Sequence, residues 1–258
     1  MVKDNLSALR EKLPSAVKLV AVSKFHPVER LMEASDAGQR IFGENRPQEL
    51  AAKVPQMPSD VEWHFIGHLQ TNKLKLVLPY VSLVQSVDSF HLLEAIDKWG
   101  RDHGKTIDVL LELHLGAEET KHGFNEEEIL SIAASDRFFD FASGFAKNDS
   151  LPGMDVTCFA QNDSQSVIST KAAGRAEKSF VRIRGLMGMA TNTEDEGVIE
   201  ADFARIEVLF KRIREEHPEL RETFTELSIG MSGDWPIAVR HSATMVRIGT
   251  DIFGAREY

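Results

Sequence analysis

Lys24 ends the stretch KLVAVSK (18–24), in which Leu19, Val20, Ala21 and Val22 form an apolar run suited to a buried strand. An amine carried to the end of such a strand loses water, which lowers its pKa and leaves a neutral nucleophile able to attack a carbonyl. The competing reading is a lysine that snorkels back to solvent along its own methylenes. Near the other end of the chain, SIGMSGD (228–234) and RIGTDIFG (247–254) set Gly230, Met231 and Ser232 beside Gly249 and Thr250. Glycines let backbone N–H groups approach an anion, hydroxyls add donors, and a helix N-terminus adds partial positive charge. Either motif alone also fits a tight turn; the pair together favours a phosphate. A lysine facing a bound phosphate fits two chemistries, aldol cleavage of a sugar phosphate or pyridoxal 5'-phosphate held as a Schiff base.

Other residues are candidates of less specific kinds. Arg247 alternates with Met245 and Gly249, so these share one strand face while Val246 and Ile248 share the other. Turned inward, Arg247 would hold a permanent positive charge near the ligand, or pair with an internal carboxylate such as Glu44 or Glu112. Beside a pyridine nitrogen it would keep that nitrogen unprotonated and weaken the ring as an electron sink. His64, mid-strand in WHFIG, reads as a satisfied interior histidine before it reads as a base, and stays among the cofactor-binding candidates. Asn45 suits either orienting a ligand or capping the helix that starts near Arg46-Pro47. Lys121, in GAEETKHGF, either reaches an anion at a pocket mouth or is a solvated loop lysine. No metal-ligand spacing appears, and Cys158 is the only cysteine, so no intrachain disulfide framework is expected.

These residues need elements to hold them. Eight apolar, β-branched runs recur: 18–23, 40–45, 62–67, 81–87, 107–115, 180–187, 225–230 and 245–250. Helical patterns such as 89–104 and 195–217 separate them, which argues for parallel βα units and a sheet covered on both faces. Eight units in 258 residues are what a single (β/α)8 barrel requires. A doubly wound open sheet is the main rival, because periodicity cannot show closure. Lys24 and both glycine motifs fall where strands end, which in a barrel is the face that carries active sites. Residues 138–179 read as an irregular insertion between the fifth barrel helix and the sixth strand. A net charge of −10 argues against a nucleic-acid binder, and no run approaches a membrane span. The N-terminal stretch reads as an amphipathic helix without a signal-peptide core, so a cytoplasmic protein is expected.

The chain also resembles a known family. AVSK with Lys24, FGENRPQE (42–49), WHFIGHLQTNK (63–73), KHGF (121–124), IRGLMGMA (183–190), LSIGMSGDWPIA (227–238) and VRIGTDIFGARE (246–257) are similar to the YggS/PROSC-type pyridoxal phosphate homeostasis proteins, relatives of the alanine racemase N-terminal barrel. The resemblance covers roughly residues 15–130 and 180–257. It implies that Lys24 carries the cofactor as an internal aldimine, and that Ser232, Gly249, Thr250 and the backbone at Met231 bind its phosphate. Asn45 and Arg247 would lie near the ring. It implies one barrel domain over 1–258 that manages the cofactor supply without turnover, as a monomer, with apo forms of cofactor-dependent enzymes as partners. Two departures stand out: residues 138–179 are longer than the family's usual link, and Ser242 stands where the family usually has glycine.

A racemase or lyase using the same cofactor is the alternative. Racemisation needs a second acid or base on the opposite cofactor face, which alanine racemases supply as a tyrosine from a C-terminal domain. The sequence ends eight residues after Thr250, and its two tyrosines, Tyr80 and Tyr258, lie outside the motifs, so a one-sided binding site is expected. A sugar-phosphate aldolase remains the third possibility and would carry no chromophore.

Overall fold

The structure, a computed structural model, describes residues 1–116, 122–135 and 179–254. In chain order it runs α1 (Val2–Lys12), β1 (Lys18–Val22), α2 (Val28–Asp36), β2 (Ile41–Glu44), α3 (Pro47–Lys53), β3 (Glu62–Phe65), α4 (Leu74–Val77), β4 (Leu83–Val87) and α5 (Phe90–His103). There follow β5 (Ile107–Leu113), α6 (Glu126–Ala133), β6 (Val181–Gly188), α7 (Glu196–Glu216), β7 (Glu226–Ser228), α8 (Trp235–Arg240), β8 (Met245–Ile248) and α9 (Thr250–Phe253). Each strand pairs in parallel with the next, and β1 pairs with β8, closing the sheet into a barrel. Closure excludes the open-sheet rival. The expected insertion at 138–179 lies outside the described residues but for Ser179, and Lys121 lies outside them too.

The strands alternate as a barrel demands. Leu19 and Ala21 face the helices and join the main apolar core, whereas Val20 points inward with Ile41, Leu83, Leu110, Met187 and Met245. This inner layer plugs the barrel beneath the C-terminal strand ends. Below it, Lys18 pairs with Glu226 at 2.5 Å and Arg182 with Asp108 at 2.7 Å, so charged side chains close the opposite end. The helices start and stop as their sequences dictate. Ser89 accepts the Leu92 N–H at the start of α5, and Gly104 ends that helix at φ 63°. At the start of α6, Asn125 and Glu128 form a reciprocal capping box.

Ser242, which stands where the family usually has glycine, adopts a left-handed φ of 60°. A side chain there costs roughly 1–2 kcal/mol, partly offset because its hydroxyl donates to Glu207 Oε1 at 2.5 Å. Glu207 is pushed up by burial, but hydrogen bonds from Lys211, Ser242 and His241 outweigh that and hold it at about 2. Ser242→Ala keeps the backbone strain and loses the hydrogen bond, so it is expected to destabilise the fold by about 1 kcal/mol. Ser242→Gly removes both, and urea unfolding should find it nearly neutral. The Ser242→Ala loss should also shrink as pH falls from 4.5 towards 2, because it rests on an ionised Glu207.

Candidate functional site

A cavity of about 520 Å³ opens at the C-terminal ends of the strands. Lys24, Asn45, Met231, Ser232, Arg247, Gly249 and Thr250 all line it, although they span more than 200 positions of sequence. Pairing of β1 with β8 is what unites them, since Ala21 lies opposite Ile248 in that register. Lys24 sits two residues beyond the end of β1, in a turn and half-buried, not on the strand itself.

That turn is clamped from beneath by charges. Lys53, the last residue of α3, is buried and donates to Ser23 O at 2.9 Å, Glu44 Oε1 at 2.5 Å and Glu49 Oε2 at 3.0 Å. Ser23 Oγ donates to the same Glu44 oxygen at 2.8 Å, and Glu49 Oε2 accepts the Phe25 N–H at 3.0 Å. Both neighbours of Lys24 are therefore fixed by one network. Phe25 takes a left-handed φ of 66°, strain that such a network sustains. The Arg46 guanidinium lies 4.2 Å over the Phe25 ring and adds a cation–π contact. Glu44 thus faces α3, opposite to the inward Ile41 and Asn45, and is no partner for Arg247.

Arg247 is buried and points inward, on the strand face it shares with Met245. Its partners are Ser228 O (2.8 Å), Ser228 Oγ (2.7 Å) and Gly188 O (2.9 Å), neutral acceptors rather than a carboxylate. Burial lowers its pKa to about 10 while Glu112 and Asp234 oppose that shift, so it stays charged at neutral pH. Glu112, also lining the cavity, is raised to about 7 by burial and by Asp88, against the pull of Arg247. His64 is the correction. It lies below the cavity, within the barrel, and does not line it. Its Nδ1 accepts from Gln85 Nε2 at 2.8 Å, and burial followed by Lys18 lowers its pKa to about 3. Gln85 Oε1 in turn accepts from Ser228 Oγ at 2.7 Å, so His64 supports Arg247 through two intermediaries. Depth along the strand separates it from the cavity: Ile66, two residues on, reaches the mouth instead.

At the glycine loops the candidate phosphate donors are unequal. The Met231 N–H is already donated to Asp234 Oδ1 at 2.5 Å, so Met231 contributes cavity wall more readily than a backbone donor. Ser232 and Thr250 bring hydroxyls, and an added Cβ at Gly233 would meet nothing within 4 Å, which leaves its backbone open to an anion. Across the cavity, Asn45 does not cap α3, which has no side-chain cap. Its Oδ1 is buried without a hydrogen-bond partner among the described residues, and Gly67 packs against it so closely that a Cβ there would lie 2.4 Å from Asn45 O.

Several residues here escaped the sequence reading. Lys53 and Glu49 gave no signal because their partners come from β2 and the Lys24 turn. Gln85 and Ser228 read as ordinary strand residues, though polar residues in an apolar run are the cue that was available. His68, Asp88 and His122 gather at the mouth despite having no metal-ligand spacing in sequence. The clamp is directly testable. Lys53→Met leaves Glu44 buried without its cation and should cost about 3–5 kcal/mol at neutral pH. Burial raises Glu44 above its ordinary 4.5. Without Lys53 that rise grows, so the loss should be smallest at acid pH and increase as pH climbs through the raised pKa. Chemical denaturation across that range measures it, and a Glu44→Leu/Lys53→Met double variant should recover much of the loss.

The comparisons with known proteins converge. The family model described as alanine racemase, N-terminal domain, matches residues 1–139. A pyridoxal phosphate homeostasis protein of Pasteurella multocida (strain Pm70) is 33% identical over 247 residues, covering 95% of this chain and 88% of the relative. The structure of PipY from Synechococcus elongatus PCC7942 with PLP bound superposes with a TM-score of 0.74 at 31% identity, covering 98% of this chain and 100% of that one. An alanine racemase of Clostridium difficile 630, at 12% identity and a TM-score of 0.66, spans 100% of this chain and 57% of its own, which shows the shared barrel alone. The chain belongs to the pyridoxal phosphate homeostasis protein family, built on the alanine racemase N-terminal barrel.

Proposed function

We propose that the protein binds pyridoxal 5'-phosphate in this cavity and acts in its homeostasis as a carrier, without turnover. The observation that carries the reading is the convergence of a half-buried lysine, a buried inward arginine and two glycine-hydroxyl loops on one cavity. The residues suit the group: Asn45 Oδ1 lacks a partner, and the backbone at Gly233 is open. When bound, the cofactor supplies an aldehyde for covalent attachment and a ring that can accept electron density. Lys24 offers the amine for attachment, on a turn held from both sides. Ser232, Gly249 and Thr250 receive the phosphate, with Met231 as wall, and Asn45 orients the ring edge.

With the cofactor held at the glycine loops, Arg247 would lie towards the ring nitrogen. A guanidinium that stays charged donates a hydrogen bond and cannot hand over its proton, so the nitrogen stays unprotonated and the ring is a weak electron sink. That electrostatic choice favours holding the cofactor over transforming an amino acid. No tyrosine among the described residues lines the cavity. The same reading carries the finer expectations of a cytoplasmic monomer that delivers its cofactor to apo enzymes. No helix among the described residues is long and apolar enough to cross a membrane.

Purified protein should absorb as a pyridoxal adduct. Borohydride reduction and peptide mapping should place the pyridoxyl group on Lys24, and Lys24→Ala should lose it. Thr250→Val should weaken cofactor retention about tenfold, the worth of one hydrogen bond to a charged group. A colourless protein that stays unmodified after incubation with the cofactor would overturn the reading and promote the aldolase; racemisation or elimination of amino acids by the loaded protein would replace the carrier with an enzyme.

A further inference from the structure

Segments that follow three consecutive strands bring three donors together, with His68 and His122 lining the cavity mouth and Asp88 buried against His68. His68 comes from the loop after β3, and Asp88 directly follows Val87 at the end of β4. His122 stands just before Phe124, which bridges to Leu113 at the end of β5. Their ligand atoms all lie within 4.8 Å of one another, and His68 Nδ1 is 2.7 Å from Asp88 Oδ2. The Asp88 side chain is 5% exposed and that of His68 47%, so the carboxylate forms the floor and the imidazole opens to the mouth. In an eight-stranded closed barrel, β3 to β5 lie across from β7, β8 and β1, so this wall is opposite the glycine loops.

Two imidazoles and one carboxylate are a donor set that suits zinc and its first-row neighbours, where magnesium and calcium prefer oxygen alone. Local charge favours a cation as well. Glu112 lines the same cavity close enough to Asp88 to feel its charge, and a metal ion beside the two carboxylates would relieve their repulsion. His114, also in this wall, has a buried Nδ1 with no hydrogen-bond partner among the described residues, a further sign that the wall's polar groups are not satisfied by the protein alone.

We infer that His68, Asp88 and His122 form a site for a first-row divalent transition metal of the zinc class, with its remaining coordination positions open to the cavity. Loading requires a specific adjustment. The His68 and His122 rings stack at 4.2 Å and 15°, so their in-plane lone pairs run nearly parallel and do not yet meet. One ring turns about its χ2, the Nδ1 proton of His68 passes through water to its Nε2, and the His68–Asp88 hydrogen bond is exchanged for a bond from each residue to the metal. Donors on a tetrahedral zinc lie about 3.3 Å apart, given Zn–N bonds near 2.0 Å, so the three close in by up to about 1.5 Å. Exposed imidazoles on loops can make that movement. The site shares no residue with Lys24 or the phosphate loops, so it stands whether or not the cofactor reading does.

The test uses the full chain, stripped with a chelator and free of cofactor, titrated with Co2+ alone and followed by visible absorption. One equivalent should produce the ligand-field bands of a low-coordinate ion, and Zn2+ should abolish them by displacement. His122→Gln and Asp88→Asn should each weaken Co2+ at least tenfold, while His103→Gln, at the C-terminal end of α5 and a full helix length from Asp88, leaves it unchanged. Thermal melts of the metal-free variants establish that they fold, and His122→Gln, an exposed substitution, keeps the test valid if Asp88→Asn does not. The absence of a saturable equivalent, or binding indifferent to His122→Gln, overturns the inference.

Discussion

The pairing of β1 with β8 is the constraint on which this molecule depends. Four consecutive residues of β1, from Lys18 to Ala21, lie in register with Met245 to Ile248. Without that seam the lysine turn and the last glycine loop would sit on opposite edges of an open sheet. With it, the chain's two ends meet, and α1 seals the junction from outside: Asn5 Nδ2 donates to Ile252 O at 3.0 Å, across nearly the whole sequence. Because such long-range pairing forms only after much of the chain is ordered, the site is expected to be among the last features to form in folding.

A second constraint refines the first. Closing the barrel sets the lysine's neighbourhood but not its turn, which the buried Lys53–Glu44 pair fixes. Ion pairs of this kind contribute little net stability, since desolvation consumes most of the attraction. Here the pair's value lies in geometry. Its cation reaches the carbonyl before Lys24 and, through Glu49, the amide after it. Rigid support under a reactive side chain is what lets a small barrel present an amine in one orientation.

What could be read beforehand followed from periodicity. Seven of the eight strands lay within the apolar runs and β6 overran its run by one residue, Gly188, while alternation put Arg247 on the same face of β8 as Met245 and left open which face turned inward. The same parity applied to β2 would have turned Glu44 outward, since Ile41 and Asn45 must share the inner face. His64 needed depth rather than parity, and depth depends on how tall the apolar plug stands, which a sequence does not display. Lys53 was beyond reach for another reason: a helix-ending lysine looks solvated until the fold sets two carboxylates and a carbonyl around it. Ser242 was flagged only through family habit, and its left-handed backbone explains why glycine is the usual occupant.

The chain of contacts below the cavity has a direction. Arg247 donates to Ser228, Ser228 donates to Gln85, and Gln85 donates to His64, while the second Gln85 N–H rests 3.1 Å from Met245 Sδ. Each member has one orientation open to it, and His64 is locked as the neutral tautomer protonated at Nε2. A relay of this kind begins at a guanidinium that does not release its proton, and it ends at an imidazole too acidic, once charged, to hold one. The barrel floor is therefore an insulator. Proton exchange that accompanies loading and unloading of the cavity falls to the groups that line it, Glu112 and the imidazoles of His26, His68, His114 and His122.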